Sequence, residues 1–161
     1  MPTAATSRKK SPPRSLDPRL DMSQLESLIG YNARRAALHI IDDFNAHLRE
    51  TALKPVDFSV LSVIAHNANI SAHVICKGLD LLPPNIVGIL KSLEERKLIT
   101  RVVSATDNRQ ISLTATRSGK ALIKKAEQLA AQSDLRATQS ISADERTQLI
   151  GLLKKIYQAQ A

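Results

Sequence analysis

The sequence predicts a mainly α-helical chain with one small β-hairpin, in which a winged helix-turn-helix is flanked by long helices. Three observations lead to this fold class. Apolar residues recur every three or four positions through most of the chain after residue 20, as in amphipathic helices. Residues 99–103 and 110–116 instead alternate between apolar and polar side chains, as short strands do. This pair of strands directly follows two short helical segments, which is the order of elements in a winged helix-turn-helix.

The composition excludes several other classes of protein. With 161 residues, 43% of them hydrophobic, the chain is long enough for one domain of about 100–150 residues plus a tail. It has no apolar run near the ~18 residues of a membrane span and no apolar signal core at its start. We therefore expect a cytoplasmic chain with no membrane partner. The single cysteine, Cys76, excludes an internal disulfide.

Positive charge is concentrated in two parts of the chain. The formal net charge is +8; residues 1–20 have a net charge of +4, and residues 91–125 have a net charge of +6. Clustered lysine and arginine favour contact with duplex phosphates, although a solvated surface is the alternative. Tryptophan is absent, and there are only two Tyr and two Phe. The chain therefore offers few of the aromatic faces on which single-stranded nucleic acid stacks.

The N-terminal part is predicted to be a basic arm followed by a long helix. Residues 1–19 are rich in Ser, Pro and basic residues without an apolar period, which predicts disorder. A capping box at Asp21 or Ser23 begins one helix that runs to about Ala52, since Pro55 cannot continue it. At ~45 Å this helix is longer than the chain's own core requires. We expect part of its apolar stripe to pack on a second subunit.

The middle of the chain is predicted to form the helix-turn-helix and its wing. A helix begins with Pro55 in its first turn and ends at the polar run 66–69. Ser71 caps the next helix, and the sequence Leu82-Pro83-Pro84 begins another that has Ile86, Ile89 or Leu90, and Leu93 directed inward. On the helix that begins at Pro55, one face has Val56, Val60, Leu61 and Ile64, and on the second strand one face has Ile111, Leu113 and Ala115. The helix capped by Ser71 carries Val74, Ile75 and Leu79.

Two further helices follow the wing. Thr116 is expected to cap a helix that spans residues 117 to about 138, and Ser142 with Glu145 forms a capping box for the last helix. The last helix has more apolar side chains than a small domain can bury, which again favours a dimer. The predicted parts are a disordered basic arm (1–19), an N-terminal dimerisation helix (20–54), a winged helix-turn-helix DNA-binding domain (55–116) and C-terminal dimerisation helices (117–161).

Three segments together resemble the multiple-antibiotic-resistance regulator (MarR) family. Residues 93–101, Leu-Glu-Glu-Arg-Lys-Leu-Ile-Thr-Arg, are similar to the family's end of the recognition helix and first wing strand. Lys97 stands where a glycine is usual. Residues 107–109, Asp-Asn-Arg, match the Asp-x-Arg of the wing, and residues 116–119 resemble a Thr-x-x-Gly helix start. Ala115 stands where a leucine is typical. The start of the recognition helix is usually polar in this family, rich in Ser, Thr and Arg, whereas here it has Leu82, Pro83, Pro84, Asn85, Val87 and Gly88.

The resemblance implies a ligand-responsive transcriptional regulator. Members of the MarR family are homodimers that bind double-stranded DNA, usually as repressors, and leave the DNA when a small-molecule effector binds. The implied operator is pseudo-palindromic and controls a neighbouring catabolic or efflux operon. The implied effector is anionic or aromatic, such as an aromatic acid or its CoA thioester. No cofactor is implied.

The candidate DNA-binding residues lie on the predicted recognition helix and in the wing. Asn85 can contact adenine, Val87 can contact a thymine methyl, and Gly88 lets the backbone approach the groove. Arg109 can enter a minor groove; alternatively, Asp107 pairs with Arg109 to rigidify the wing, or pairs with Arg101 and leaves Arg109 free. The full set of candidates is Asn85, Val87, Gly88, Lys91, Arg101, Asp107, Asn108 and Arg109. Arg96 and Arg117 are expected to be phosphate contacts or surface.

The candidate effector-binding residues lie within about two turns of the first helix. Tyr31, Arg34, Arg35 and His39 are polar groups on a helix with an otherwise apolar stripe, and an arginine there could hold a carboxylate or phosphate. A solvated face, or salt bridges to Asp42 or Asp43 in the dimer, is the alternative.

Other functions have less support in the sequence. There is no glycine-rich phosphate loop, nucleophile elbow or metal-ligand cluster, so we expect no enzyme, no catalytic residue and no metal. Cys76 is expected in the core as a small apolar residue. A non-specific architectural DNA-binding protein is the alternative function.

Overall fold

The computed structural model describes residues 20–103 and 111–158. These described residues fall in two compact units, which divide between Ala36 and Ala37. The predicted basic arm, residues 1–19, lies outside the described residues. The helices are α1 (Ser23–Glu26), α2 (Ile29–His47), α3 (Pro55–His66), α4 (Ala72–Leu79), α5 (Pro83–Glu95), α6 (Arg117–Ala137) and α7 (Ala143–Gln158); a 3-10 turn covers Arg49–Thr51, and the strands are β1 (Ile99–Val103) and β2 (Ile111–Ala115).

The first unit corrects the prediction of one unbroken helix from Asp21 to Ala52. Helix α1 ends at Glu26, and α2 begins at Ile29. Across the break, the Asn32 side-chain amide donates to the carbonyls of Glu26 (2.7 Å) and Leu28 (2.9 Å). The bond to Glu26 satisfies a carbonyl group that a continuous helix would have paired with its own backbone. The Leu28 carbonyl also accepts from the Asn32 backbone N–H at 3.2 Å, in the first turn of α2. The predicted capping box is wrong as well, because the N-cap is Met22 and makes no side-chain cap bond.

Asp21 nevertheless contributes to the start of α1. Its carboxylate accepts a hydrogen bond from the backbone N–H of Ser23 at 3.0 Å. This bond lowers the pKa of the Asp21 carboxyl below its ordinary value. The Asp21 carboxylate therefore lies one residue before the N-cap, Met22, whereas a capping box uses the side chain of the N-cap residue itself.

The second unit has one hydrophobic core, to which the helix-turn-helix, the hairpin and α6 all contribute. Val60 and Leu61 of α3 are fully buried at its centre. Phe44 of α2 packs edge-on against Phe58 of α3, with ring centroids 5.3 Å apart. The buried apolar residues are Leu48, Leu53, Val60, Leu61, Ile64, Ile75, Cys76, Ile86, Leu90, Leu93, Leu98, Ile99, Leu113, Ala115, Ile123 and Ala126.

The predicted starts of the three helices are confirmed. Pro55 is the first residue of α3, and Leu82 is the N-cap of α5. The Ser71 hydroxyl caps α4 by accepting from the Val74 backbone N–H at 3.3 Å. Val56, predicted to share a face with Val60, Leu61 and Ile64, is 42% exposed, whereas those three residues are buried. Val74 of α4 is 53% exposed.

The wing is an antiparallel hairpin whose register pairs Ile99 with Ala115 and Val103 with Ile111. Leu113 is buried as predicted, whereas Ile111 is 46% exposed because it lies at the far end of the hairpin from the core. The backbone N–H of Leu113 also donates to the carbonyl of Ile70 at 2.8 Å. This bond attaches the connection between α3 and α4 to the wing.

Lys97 ends α5 in a left-handed conformation, with φ of 56°. The N–H of Leu98 donates to the carbonyl of Leu93 (2.9 Å), and the N–H of Lys97 donates to that of Glu94 (2.8 Å). These two bonds are a Schellman motif, in which glycine is favoured at the left-handed position. Leu93 and Leu98 are both buried, as the motif's hydrophobic contact requires.

The start of α6 packs directly against the end of that motif. Thr116 donates through its backbone N–H to the Leu98 carbonyl at 3.0 Å, and its hydroxyl donates to the Lys97 carbonyl at 2.8 Å. The same hydroxyl caps α6 by accepting from the N–H of Gly119 at 3.0 Å. A side chain at Gly119 would place its Cβ only 1.9 Å from the Leu98 carbonyl oxygen. Residues 93–101 and 116–119 therefore form one continuous junction.

Helix α7 begins with the predicted capping box. The Glu145 carboxylate accepts from the Ser142 N–H (2.7 Å), and the Ser142 hydroxyl accepts from the Glu145 N–H (3.2 Å). The first of these bonds lowers the pKa of the Glu145 carboxyl. Within the described chain, neither α2 nor α7 buries a residue fully. The exposed apolar residues of α7 are Leu149, Ile150, Leu152, Leu153, Ile156 and Tyr157.

Candidate nucleic-acid interface

Helix α5 has a buried side and an exposed side, and the exposed side contains four of the predicted DNA-binding residues. Ile86, Leu90 and Leu93 are buried in the core. Residues at three- and four-residue spacing on the opposite side are exposed, in agreement with a helical repeat of 3.6 residues. The exposed candidates are Asn85, Val87, Gly88 and Lys91.

The second turn of this exposed side is uncharged, and the third carries an ion pair. Lys91 Nζ lies 3.9 Å from the Glu95 carboxylate, and both side chains are largely exposed. Such a pair contributes little to stability in water. The Lys91 ammonium is therefore available to a phosphate at small cost.

Arg101 has a closer partner that the sequence analysis missed. Its guanidinium donates from Nε and one terminal nitrogen to both oxygens of Glu94, at 2.7 and 2.9 Å. These hydrogen bonds raise the pKa of Arg101 above its ordinary value. The pair joins the last turn of α5 to strand β1, so it fixes the base of the wing against the recognition helix. Because Glu94 neutralises Arg101, a phosphate contact by Arg101 stays a prediction.

The predicted wing-tip contacts cannot be placed. Asp107, Asn108 and Arg109 lie outside the described residues, which resume at Ile111. Among the described residues, the carboxylate that pairs with Arg101 is that of Glu94. A pair between Asp107 and Arg101 or Arg109 stays a prediction.

Arg96 has a structural role in place of the expected phosphate or surface role. Its guanidinium donates to the carbonyls of Thr51 and Ala52, both at 2.9 Å. Ala52 has a left-handed backbone with φ of 50°, and these bonds hold that turn against the end of α5. Sequence periodicity does not indicate such a contact, because Ala52 and Thr51 lie 44 and 45 residues before Arg96 in the sequence.

A shallow groove of about 350 Å³ runs along one flank of α5. Its floor and walls combine apolar, cationic and anionic groups, so its charge does not select one ligand class. The lining residues are Ala52, Lys54, Asp57, Gly88, Ile89, Ser92 and Arg96.

Two polar clusters connect α6 to neighbouring helices of the second unit. The Glu127 carboxylate accepts from the Ser62 hydroxyl at 2.7 Å and lies 2.8 Å from His66 Nε2, both on α3. The buried Ser133 hydroxyl donates to the Asp43 carboxylate of α2 at 3.1 Å. These contacts fix α6, which follows the wing directly, against both α2 and α3.

The predicted effector residues all lie on α2. Tyr31 is partly buried, whereas Arg34 and Arg35 are exposed, and these three belong to the first unit. His39 is exposed and belongs to the second unit. Within one chain, the Asp43 carboxylate lies 3.2 Å from His47 Nδ1 and accepts from the Ser133 hydroxyl. Salt bridges from the arginines to Asp42 or Asp43 in the dimer stay a prediction.

The described residues contain no group of three or more His, Cys, Asp or Glu side chains that could hold a metal ion. Cys76 is buried in the core, as expected for a small apolar residue. None of the helices between residues 20 and 158, as far as they are described, is long and apolar enough to cross a membrane.

Comparison with known proteins decides the family. A model of the MarR family matches residues 53–110, which include α3, α4, α5 and β1. A protein of Thauera aromatica, assigned as a transcriptional regulator of the hcr operon, is 32% identical over 80% of this chain and 78% of its own. The chain belongs to the MarR family. Members of this family are transcriptional regulators that act as dimers.

Solved structures of MarR-family regulators agree with this fold. The transcriptional repressor CouR bound to a 23-mer DNA duplex is 34% identical, with a TM-score of 0.81 over 86% of this chain and 98% of that one. CouR from Rhodococcus jostii RHA1 bound to p-coumaroyl-CoA is 26% identical, with a TM-score of 0.74 over 82% of this chain and 93% of that one. The predicted mainly helical winged-helix fold is thereby confirmed.

Proposed function

We propose that this chain is a ligand-responsive repressor that binds a pseudo-palindromic operator as a homodimer in the cytoplasm. An anionic aromatic effector, an aromatic acid or its CoA thioester, releases it from the DNA of a neighbouring catabolic or efflux operon. The proposal gives the chain no catalytic step.

The exposed side of α5 is the observation that carries the DNA-binding part. A helix buried on one side by Ile86, Leu90 and Leu93 and exposed on the other is built to present a surface to a partner. The hairpin beside it is fixed by the Glu94–Arg101 pair. In winged helices of this kind the second helix of the helix-turn-helix enters the major groove. The likeness to CouR, whose complex contains a DNA duplex, supports the same use here.

Exposed apolar residues support the dimer. Leu149, Leu152 and Leu153 of α7 are each at least 40% exposed in a single chain. Clusters of exposed apolar side chains on a helix mark interaction surfaces. In a dimer with two winged helices, half-site centres about one helical turn apart, ~10–10.5 base pairs, match the two-fold symmetry.

The effector part rests on α2 and on the second CouR structure. Arg34 and Arg35 are exposed cations on a helix that otherwise has an apolar stripe. Arginine binds carboxylates and phosphates with two parallel hydrogen bonds. CouR from Rhodococcus jostii RHA1 binds p-coumaroyl-CoA, which carries both phosphates and an aromatic acyl group. Tyr31 and His39 are the proposed additional contacts.

A competition gel shift tests this function. The full chain is mixed with a labelled duplex from upstream of its own gene, against excess unlabelled bulk DNA, at several salt concentrations. We expect the upstream duplex to remain bound, and p-coumaroyl-CoA or free aromatic acids to release it. If bulk DNA competes as well as the upstream duplex at every salt concentration, the chain is the architectural DNA-binding protein considered above and the repressor proposal is wrong.

A further inference from the structure

The exposed side of α5 is apolar where a recognition helix meets base edges. Counting 100° per residue, Pro84, Gly88 and Lys91 lie within about 50° of the direction opposite the buried residues of the helix, and Val87 lies about 90° from that direction, on one flank. Val87 is 62% exposed, and the N-cap residue Leu82 is 69% exposed. The first polar side chain near the outward direction is Lys91.

Asn85 lies about 75° from the same direction, on the flank opposite to Val87. The two residues of the first two turns that face most directly outward, Pro84 and Gly88, therefore present carbon atoms to a partner. Val87 extends this apolar surface on one flank, and Asn85 adds a polar side chain on the other. We call Pro84, Val87 and Gly88 the apolar line.

A carbon surface can match only one feature of the major groove. Every base pair presents nitrogen and oxygen donors or acceptors there, and thymine alone adds a C5-methyl group. Covering donors and acceptors with Val87 would remove their water without replacing it, which is unfavourable. Covering a methyl group removes apolar surface from water on both sides, which is favourable.

Gly88 makes close approach possible next to Val87. Among the described residues, nothing lies within 4 Å of the position that a Cβ at Gly88 would occupy. The chain's own packing therefore does not require glycine there, although glycine inside a helix costs about 1 kcal/mol relative to alanine. A partner that approaches the backbone of α5 would use the space.

We propose that the apolar line reads thymine methyl groups, with Val87 as the residue that determines specificity at one thymine of each half-site. This inference rests on the proposed function, because it requires that α5 enter the major groove of an operator. Lys91, one turn further along the same line, is placed to contact a phosphate at the edge of that groove.

The expected size of the effect follows from the burial of one methyl group. Replacing thymine by uracil removes this group and leaves all hydrogen-bonding groups in place. Burial of a methyl-sized group is worth ~0.8 kcal/mol, or about a fourfold change in affinity. Replacement in both half-sites should weaken binding about fifteenfold.

The experiment begins with selection of bound duplexes from a random pool by the full chain. The recovered duplex is then resynthesised with uracil in place of each thymine in turn, and affinity is measured by fluorescence anisotropy. Cytosine and 5-methylcytosine are compared at any sensitive position. The protein variants are Val87→Ala and, as a matched control, Val56→Ala, which removes another exposed valine outside α5. Thermal unfolding checks that both variants are folded.

The results separate this inference from the function on which it rests. We expect about fourfold loss at one thymine per half-site with the wild type, a similar preference for 5-methylcytosine over cytosine there, and neither effect with Val87→Ala. The Val56→Ala variant should behave as the wild type. If a sequence is selected but uracil replaces every thymine without loss, the methyl reading is wrong and the repressor proposal survives. If no sequence is enriched, both are wrong.

Discussion

Replacing Gly119 by alanine should destabilise the protein strongly, although alanine is the better helix former. The added Cβ would lie 1.9 Å from the Leu98 carbonyl oxygen, 2.9 Å from its carbon and 3.3 Å from its Cα. All three are backbone atoms, so no side-chain rotation can relieve the contact. The start of α6 and Leu98, the last residue of the Schellman motif, must separate by about 1.5 Å to reach an ordinary contact of 3.4 Å.

The size of the loss can be estimated from what that separation breaks. Overpacking of this kind costs about 1–3 kcal/mol. The Leu98 carbonyl accepts from the Thr116 N–H at 3.0 Å and its hydroxyl at 3.2 Å, and each lost bond adds about 1 kcal/mol. The better helix propensity of alanine returns about 1 kcal/mol. The free energy of unfolding should therefore fall by about 2–4 kcal/mol.

Thermal and urea unfolding, followed by circular dichroism at one fixed protein concentration, measure this loss. For a chain of this size, we expect the Tm to fall by roughly 5–15 °C. The control is Gly78→Ala in α4, where the described structure leaves the Cβ position open; it should leave the Tm unchanged or raise it. A Gly119→Ala variant as stable as the wild type would refute the close approach of α6 to Leu98.

Four further predictions concern assembly and binding. Light scattering at micromolar concentration should give about twice the 17.6 kDa of one chain, and a monomer mass would contradict the dimer. Deleting residues 1–19 should reduce the slope of log affinity against log salt concentration by roughly 0.9 for each lost phosphate contact and keep operator preference. Loss of that preference would mean that the arm reads bases. Arg109→Ala should weaken operator binding by ~1–3 kcal/mol with unchanged dimer mass and Tm, whereas unchanged affinity would leave Arg109 a wing-stabilising residue. Arg34→Ala or Arg35→Ala should reduce the release of DNA by p-coumaroyl-CoA in a gel shift and preserve DNA binding without the ligand. If p-coumaroyl-CoA releases DNA from both variants as it does from the wild type, the effector binds elsewhere.

Much of the second unit could be predicted from the sequence because its signals are local. Ser71, Thr116 and Ser142 each cap a helix through a hydrogen bond to a residue three positions later. Apolar periodicity also identified the buried side of α5, and alternation identified both strands. In these elements, the residues that determine the structure lie within a few positions of one another.

The errors in the prediction arose where distant residues or single side chains decide the structure. At the break between α1 and α2, the Asn32 side chain donates to the Glu26 carbonyl, which a continuous helix would pair with its own backbone. Arg96 looked like a surface cation because its partners, Thr51 and Ala52, are far away in sequence. The Glu94–Arg101 pair spans a helix end and a strand, where no periodic rule applies.

Two of the departures from the MarR pattern, at Lys97 and at the start of α5, have different physical consequences. Lys97 adopts a left-handed conformation that glycine takes without a penalty, at a cost of roughly 1–2 kcal/mol for a residue with a Cβ. Both Schellman hydrogen bonds and the burial of Leu98 are nevertheless present, so the packing at this junction outweighs that cost. The unusual residues Val87 and Gly88, by contrast, lie on an exposed side where no core contact depends on them. Substitution there changes the surface offered to DNA at little cost to the fold. Sequence divergence at the start of α5 is therefore better evidence for an altered operator preference than for an altered structure.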